Sequence, residues 1–319
     1  MTTAPPLGLA VDLSVGGTAQ VALVGPEGFD HASVILFADS SAATLTDVFM
    51  AVERTLGHSL RGTAVVLAVP GVPGRTVIPV LRSRWTLSRD GLNQFFGRPV
   101  TIVNDGAALA WAAAGEPEAG IPIGGSDPAT ALPPLSRRAL IQFEAGLGAA
   151  VVDNDAHGAL RVLETELGHI GFAPADGFDD HIVGELRAAR KPVSWEQVLR
   201  IARGGHPSVA FAGLPSAEQQ ALFTRWAADF VMTVALATCA WDGIYLSGSG
   251  WDALSDPAAG QAFLRRLRGH RTFSRQFEAL RCWRVEQHSA VLRGCAQLLR
   301  QMGGSEPAAL ASTEIRSRS

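Results

Sequence analysis

With 319 residues, 47% of them hydrophobic and 18% charged, the chain has apolar material for two packed domains and is not disordered as a whole. A formal net charge of -3 argues against a general nucleic-acid or membrane-surface binder. The cysteines Cys239, Cys282 and Cys295 lack metal-ligand spacing, Met1 to Pro6 has no basic, apolar leader, and the most apolar segment, Phe230 to Ala240, is too short to span a bilayer, so a cytoplasmic protein with reduced core thiols is expected.

Leu7 to Leu13 reads as a buried strand, Gly16-Gly17-Thr18 as a tight turn and Ala19 to Val24 as the returning strand of a hairpin. A strand over Ser33 to Phe37 follows, then a helix over Ala43 to Leu56 with Ser40 and Ser41 as candidate N-caps. Ala64 to Val69 is the next strand and runs into the turn-forming Pro70 to Gly74. A short helix over Ser88 to Phe96, capped by Ser88, precedes a strand over Val100 to Val103 and an alanine-rich helix over Ala107 to Ala114. The Gly- and Pro-rich stretch Gly115 to Ser136 is the best domain boundary. Beyond it strand, glycine turn and strand recur as Arg138 to Phe143, Gly146-Leu147-Gly148 and Ala149 to Asp153, which hints at a duplicated topology. Helices are expected over Asp179 to Ala189, Ser194 to Ala202, Ser216 to Ala240 and Phe263 to Leu267, and a strand over Gly243 to Leu246 leads into a turn at Ser247 to Gly250. A closing helix over Ala290 to Met302 would complete a small domain of residues 1–114, leaving 115–289 as a large domain and 303–319 as a flexible tail.

Hydrogen-bonding residues gather beside apolar, strand-like runs: Asn104 and Asp105, then Glu166 and His169, then Glu196. Such groups could surround a polyhydroxylated ligand, and a carboxylate such as Asp105 could also take a proton. Singly, each has a plainer reading. Asn-Asp at a strand end makes an Asx turn, Glu166 is a surface carboxylate, His169 a core residue and Glu196 a solvated or capping group. Arg265, Arg266 and Arg268 form the densest basic run and read as a solvated helix face, not a nucleic-acid surface. The chain has no Walker loop, GxSxG elbow or HExxH pair.

In their order and surroundings these residues resemble the bacterial glucokinase family, over about Leu7 to Arg300. The most specific matches are Asn104-Asp105, Glu166-Leu167-Gly168-His169 with Phe172 to Pro174, and Val193 to Leu199. The resemblance implies a two-domain α/β fold of the actin and hexokinase type, ribonuclease H-like, with a cleft between the domains. It also implies ATP-dependent phosphorylation of a hexose, glucose to glucose 6-phosphate. Asp105 would be the general base for the attacking hydroxymethyl group, and Asn104, Glu166, His169 and Glu196 would bind the other hydroxyls. Gly16, Gly17, Thr18, Gly146, Gly148 and Gly248 would lie around the nucleotide. Mg2+ would arrive with ATP and find its protein partner in Asp12, and a homodimer is expected.

The phosphate-side motifs depart from the family pattern. The family's Asp-x-Gly-Gly-Thr is here Asp12-Leu13-Ser14-Val15-Gly16-Gly17-Thr18, so either Ser14 replaces the acid or two residues are inserted and Asp12 keeps its role. Val21 stands where an arginine is usual. Gly-Thr-Gly-Leu-Gly becomes Glu144-Ala145-Gly146-Leu147-Gly148, which brings a carboxylate where a triphosphate would be repelled unless a cation intervenes. Ser-Gly-Pro-Gly-Leu becomes Arg200-Ile201-Ala202-Arg203-Gly204, Thr-Asn becomes Leu81-Arg82, and the nucleotide-side Gly-Gly becomes Ser247-Gly248. Leu167 replaces a glycine. A sugar-binding sensor with little catalysis is the alternative expectation.

Overall fold

The computed structural model describes residues 7–314 except 27, 30, 32–33, 145, 190–191, 205–207 and 286–288. The chain divides into two units, Met1–Gly115 with His288–Ser319, and Glu116–Gln287. Each has its own sheet and its own core.

In the first unit β1 (Gly8–Asp12), β2 (Thr18–Val24), β3 (Ile35–Ala38), β4 (Val65–Val69) and β7 (Thr101–Asn104) form a sheet in the order β3-β2-β1-β4-β7. β1 is antiparallel to β2 and parallel to β4, which is parallel to β7. Every residue of β1 and β4 is buried, as their continuous apolar sequences require in a parallel pair covered on both faces. Between the strands lie α1 (Leu45–Leu56), the small hairpin β5 (Val77–Pro79) and β6 (Thr86–Ser88), and α2 (Arg89–Phe96). α1 buries Leu45, Val48, Phe49 and Val52, one helical stripe. Its N-cap is Thr44, not Ser40 or Ser41, because Thr44 and Asp47 bond reciprocally in a capping box, while Ser41 bonds the Ala38 carbonyl at 2.6 Å. Ser88 caps α2, as read from the sequence. β7 runs directly into α3 (Asp105–Gly115).

The second unit opens with a 3-10 turn at Pro117–Ala119 and β8 (Gly120–Pro122), so the Gly- and Pro-rich stretch is more than a linker. β9 (Ser136–Phe143), β10 (Leu147–Asn154) and β11 (Leu160–Thr165) form an antiparallel meander, followed by a 3-10 turn at Leu167–His169. Then come α4 (Gly177–Ala189), α5 (Trp195–Ile201), α6 (Val209–Ala212), α7 (Ser216–Thr238), β12 (Ile244–Ser247), a 3-10 segment at Ser249–Ser255, α8 (Pro257–Arg268), α9 (Ser274–Ala279) and β13 (Cys282–Val285). The sheet order is β11-β10-β9-β12-β13-β8, with β9, β12 and β13 parallel. Its first five strands repeat the order and directions of the first sheet, and β8 adds an antiparallel edge. α7 buries Phe223, Trp226, Phe230 and Val231 in this core. Asp179, 1% exposed, accepts both Arg225 guanidinium bonds at 2.8 and 2.6 Å, the Trp226 indole N–H at 2.8 Å and the Ala175 N–H at 3.0 Å. In the basic run, Arg266 is bound across to Asp229 of α7 at 2.7 and 3.1 Å and so is not simply solvated.

α10 (Ala290–Glu314) returns to the first unit and packs along α3, β1 and β4. It continues past Met302, where a tail was expected, through the strong helix formers Ala308 to Ala311; residues 315–319 lie outside the described part. No helix among the described residues is long and apolar enough to cross a membrane.

In both sheets the strand order reverses beside the central strand, between β1 and β4 and between β9 and β12. Open α/β sheets bind ligands at the carboxyl ends of strands at such switch points.

Candidate active site

In the first unit, Asp12 ends β1 beside the first switch point and is 4% exposed. Its Oδ1 accepts the Ser14 N–H at 2.7 Å and the Ser14 hydroxyl at 2.6 Å. The carboxylate at the strand end is therefore that of Asp12, and Ser14 braces it. Burial pushes its carboxyl above the usual range, although the side-chain and backbone bonds from Ser14 pull the other way. No cationic side chain among the described residues pairs with it, so a bound cation would relieve a real desolvation cost. Mg2+ bound with a nucleotide takes one or two carboxylates plus phosphate oxygens, and one buried carboxylate fits that demand. No group of three or more His, Cys, Asp or Glu among the described residues could form an all-protein metal cage.

The loop after Asp12 is closed by Thr18 N–H bonding the Val15 carbonyl at 2.9 Å, and the Gly17 carbonyl accepts the Asp39 N–H at 2.7 Å. Gly16 lies against Arg82, whose backbone is left-handed at φ 60°. At the end of β7, Asn104 Nδ2 donates to the Gly71 carbonyl at 3.0 Å and its Oδ1 accepts the Gly106 N–H at 2.8 Å. Asn104 thus ties the loop after β4 to the start of α3. Asp105 Oδ1 also accepts the Gly106 N–H, at 3.1 Å, in the first turn of α3. The Asx-type bond read as the plain alternative is present.

In the second unit, the Glu144 N–H bonds the Gly146 carbonyl between β9 and β10; Leu147 and Gly148 were expected in the turn but pair in register with Phe143 and Gln142 as part of β10. Residues 170–172 pair with 193–195, through Phe172 N–H to Val193 O at 3.0 Å and Trp195 N–H to Ile170 O at 3.2 Å. The Phe172 and Trp195 rings lock this pairing edge to face at 4.8 Å. Three predicted residues converge as a result. His169 Nε2 lies 3.7 Å from Glu166 Oε2 and 3.9 Å from Glu196 Oε2. Glu166 and His169 are exposed, whereas Glu196 is held. Its Oε2 accepts the Leu147 N–H at 3.0 Å and its Oε1 faces Arg200 at 3.4 Å.

Glu144 does not stand as an unpaired anion. Its Oε2 accepts the Ser249 N–H at 3.0 Å and the Ser249 hydroxyl at 2.6 Å. Arg203 donates to the Glu144 carbonyl at 3.0 Å and to Ser249 Oγ at 2.7 Å, and its Nη1 lies 3.5 Å from Glu144 Oε2. Gly248 permits this: a Cβ there would lie 2.3 Å from the Phe143 carbonyl oxygen. The sequence marks Arg203 only as a departure from the family pattern, and Ser249 only as part of the Ser247 to Gly250 turn, which the resemblance puts near the adenosine. Their signal was that an arginine and a carboxylate both appear at departures from the family pattern.

The Asn104–Asp105 pair and the Glu166, His169 and Glu196 group were predicted from a family order, and most of the chain bears that likeness. The glucokinase family profile matches residues 11–200. A glucokinase of Paramagnetospirillum magneticum is 27% identical over 313 residues, covering 89% of this chain and 95% of that protein. Among solved structures, a glucokinase from an Antarctic psychrotroph is similar at TM-score 0.72 and 21% identity, over 91% of this chain and 98% of that one. Balamuthia mandrillaris glucokinase, solved in complex with glucose, is similar at TM-score 0.66 and 16% identity, over 92% and 93%. The two ribonuclease H-like sheets are those of the hexokinase-type sugar kinases, and by the extent of the profile match the chain belongs to the glucokinase family.

Proposed function

We propose that this protein transfers the γ-phosphoryl group of ATP to a hexose, converting glucose to glucose 6-phosphate. Glu196 carries the reading: one oxygen is shared between His169, a predicted sugar ligand, and the Leu147 N–H of the glycine hairpin, a predicted nucleotide element. The two carboxylates and the imidazole offer acceptors and a donor for neighbouring hydroxyls, and a site that pairs hydroxyls rejects analogues that lack them. Asp105 takes the proton of the hydroxymethyl group as its oxygen bonds to phosphorus and ADP departs. Asn104 holds Asp105 in place through the start of α3. Mg2+ brought with ATP, held by Asp12, would neutralise phosphate charge.

The test is ADP release with glucose and Mg-ATP, in the unaltered protein and in Asp105→Asn. Turnover should fall by about 10²–10⁴-fold in the variant. Absence of turnover above the variant, in protein that glucose stabilises against heat, would overturn the kinase reading in favour of a sugar sensor.

A further inference from the structure

Glu144, Arg203 and Ser249 form a polar cluster that the reaction above does not use. Glu144 follows the carboxyl end of β9, and Ser249 follows that of β12 with only Gly248 between. These parallel neighbours flank the second switch point, where a ligand is expected. The cluster is open to solvent: the Glu144 side chain is 40% exposed and that of Arg203 34%. Around the carboxylate stand a backbone N–H, a hydroxyl and a guanidinium, the set of donors that recognises a phosphoryl oxygen. The Arg203 guanidinium lies 5.5 Å over the Phe143 ring, which supports it from its other face. Two amides of the neighbouring hairpin are already engaged. The Glu144 N–H bonds the Gly146 carbonyl and the Leu147 N–H bonds Glu196.

We propose that Glu144 is an internal stand-in for a phosphate: its carboxylate holds the Arg203 guanidinium and Ser249 ready, and a phosphoryl group of the donor displaces it from them. Arg203 and Ser249 are then donor-phosphate contacts, and Glu144 lowers the affinity for the donor by competing with it. This rests on the phosphotransfer reading only for the identity of the anion.

The experiment is calorimetric titration of ATP, and separately of tripolyphosphate as a probe without nucleoside, with Mg2+ and glucose present. The unaltered protein is compared with Glu144→Gln and Arg203→Gln, each also assayed for glucose affinity, thermal unfolding and turnover. Glu144→Gln should lower both dissociation constants by about tenfold and Arg203→Gln should raise both by about tenfold, a pattern of charge-assisted bonding. Should Arg203→Gln not fold, Arg203→Lys, which keeps the charge and loses the fork, should raise them by a smaller factor. Unchanged constants in Glu144→Gln or in the folded Arg203 variant overturn the proposal. So does weaker ATP binding in Glu144→Gln, which would make Glu144 a metal ligand. Opposite shifts in a protein without turnover would keep the anion site and remove the kinase reading; normal turnover with unshifted constants would do the reverse.

Discussion

Replacing Gly168 by alanine should damage stability and activity together. The backbone at Gly168 is not left-handed, so close approach, not conformation, demands glycine there. A Cβ would stand 1.8 Å from the Leu147 carbonyl oxygen and 2.7 Å from its carbon. The contact is backbone against side chain, and the backbone is pinned: Leu147 pairs with Phe143 and its N–H is held by Glu196. The 3-10 turn must therefore retreat by roughly 1.5–2 Å to reach ordinary contact. Glu166 and His169 flank Gly168 and move with it, away from Glu196. Overpacking of this kind costs about 1–3 kcal/mol, and a misplacement near 1 Å at a binding group costs about 10²-fold in rate. Scanning fluorimetry should show a Tm lower by roughly 3–10 °C. Coupled ADP-release kinetics should show kcat/KM for glucose down by more than tenfold. An unstrained Gly→Ala change stabilises by about 0.4–1 kcal/mol through the unfolded chain. A Tm that rises, or a kcat/KM within twofold of the unaltered protein, would refute the packing argument.

Asp179→Asn should leave the partly buried Arg225 guanidinium with only the half-exposed Asp176, 3.5 Å away, as its paired carboxylate and destabilise by up to about 3 kcal/mol, read as a fall in Tm. Burial tends to raise the Asp179 carboxyl, but the bonds from Arg225, Ala175 and Trp226 outweigh it and hold the carboxyl below its usual value. Its contribution is therefore present above the unfolded carboxylate value near pH ~4 and is lost as pH falls through the lower folded value, so Tm differences between the two proteins should shrink in strong acid. Asn104→Ala removes the bonds to Gly71 and Gly106, and should cost about 1–3 kcal/mol in Tm-derived stability together with weaker glucose binding by titration.

Elements with strong local signals were legible. The β1–β2 hairpin follows from two apolar runs around glycines, and α2 from Ser88 ahead of a stripe ending in Phe96. Thr44 was missed as a cap because its partner Asp47 lies inside the helix, while Ser40 and Ser41 precede it more visibly. β11 was missed because Leu163, 65% exposed, breaks the alternation expected of a half-buried strand. β8 and β13 are short, and their pairing depends on partners distant in the sequence. The grouping of Glu166, His169 and Glu196 was suggested by family order, but the segment pairing that creates it, and the Phe172–Trp195 contact behind it, are tertiary. The same holds for Glu144 and Arg203, whose 59-position separation no periodicity spans.

Several departures from the family pattern touch one another or a predicted site residue. Ser14, in one of the two possible positions for the first-loop acid, bonds Asp12 twice. Glu144 meets Arg203, and the other arginine of that altered stretch, Arg200, faces Glu196. A phosphate site that had merely decayed would leave a carboxylate in a ligand crevice with nothing to offset it, at a cost in self-repulsion and desolvation. Here the new charges of the second unit, Glu144, Arg200 and Arg203, each have a partner of opposite sign within 3.5 Å, drawn from another changed position or from the predicted sugar set. Such pairing needs at least two coordinated changes, and it leaves a guanidinium and a hydroxyl beside the switch point in place of the lost threonine. On those grounds the altered second loop is better read as a different set of phosphate donors than as an absent one. The quantity that decides between the two is nucleotide affinity in the presence of sugar, not sugar affinity alone.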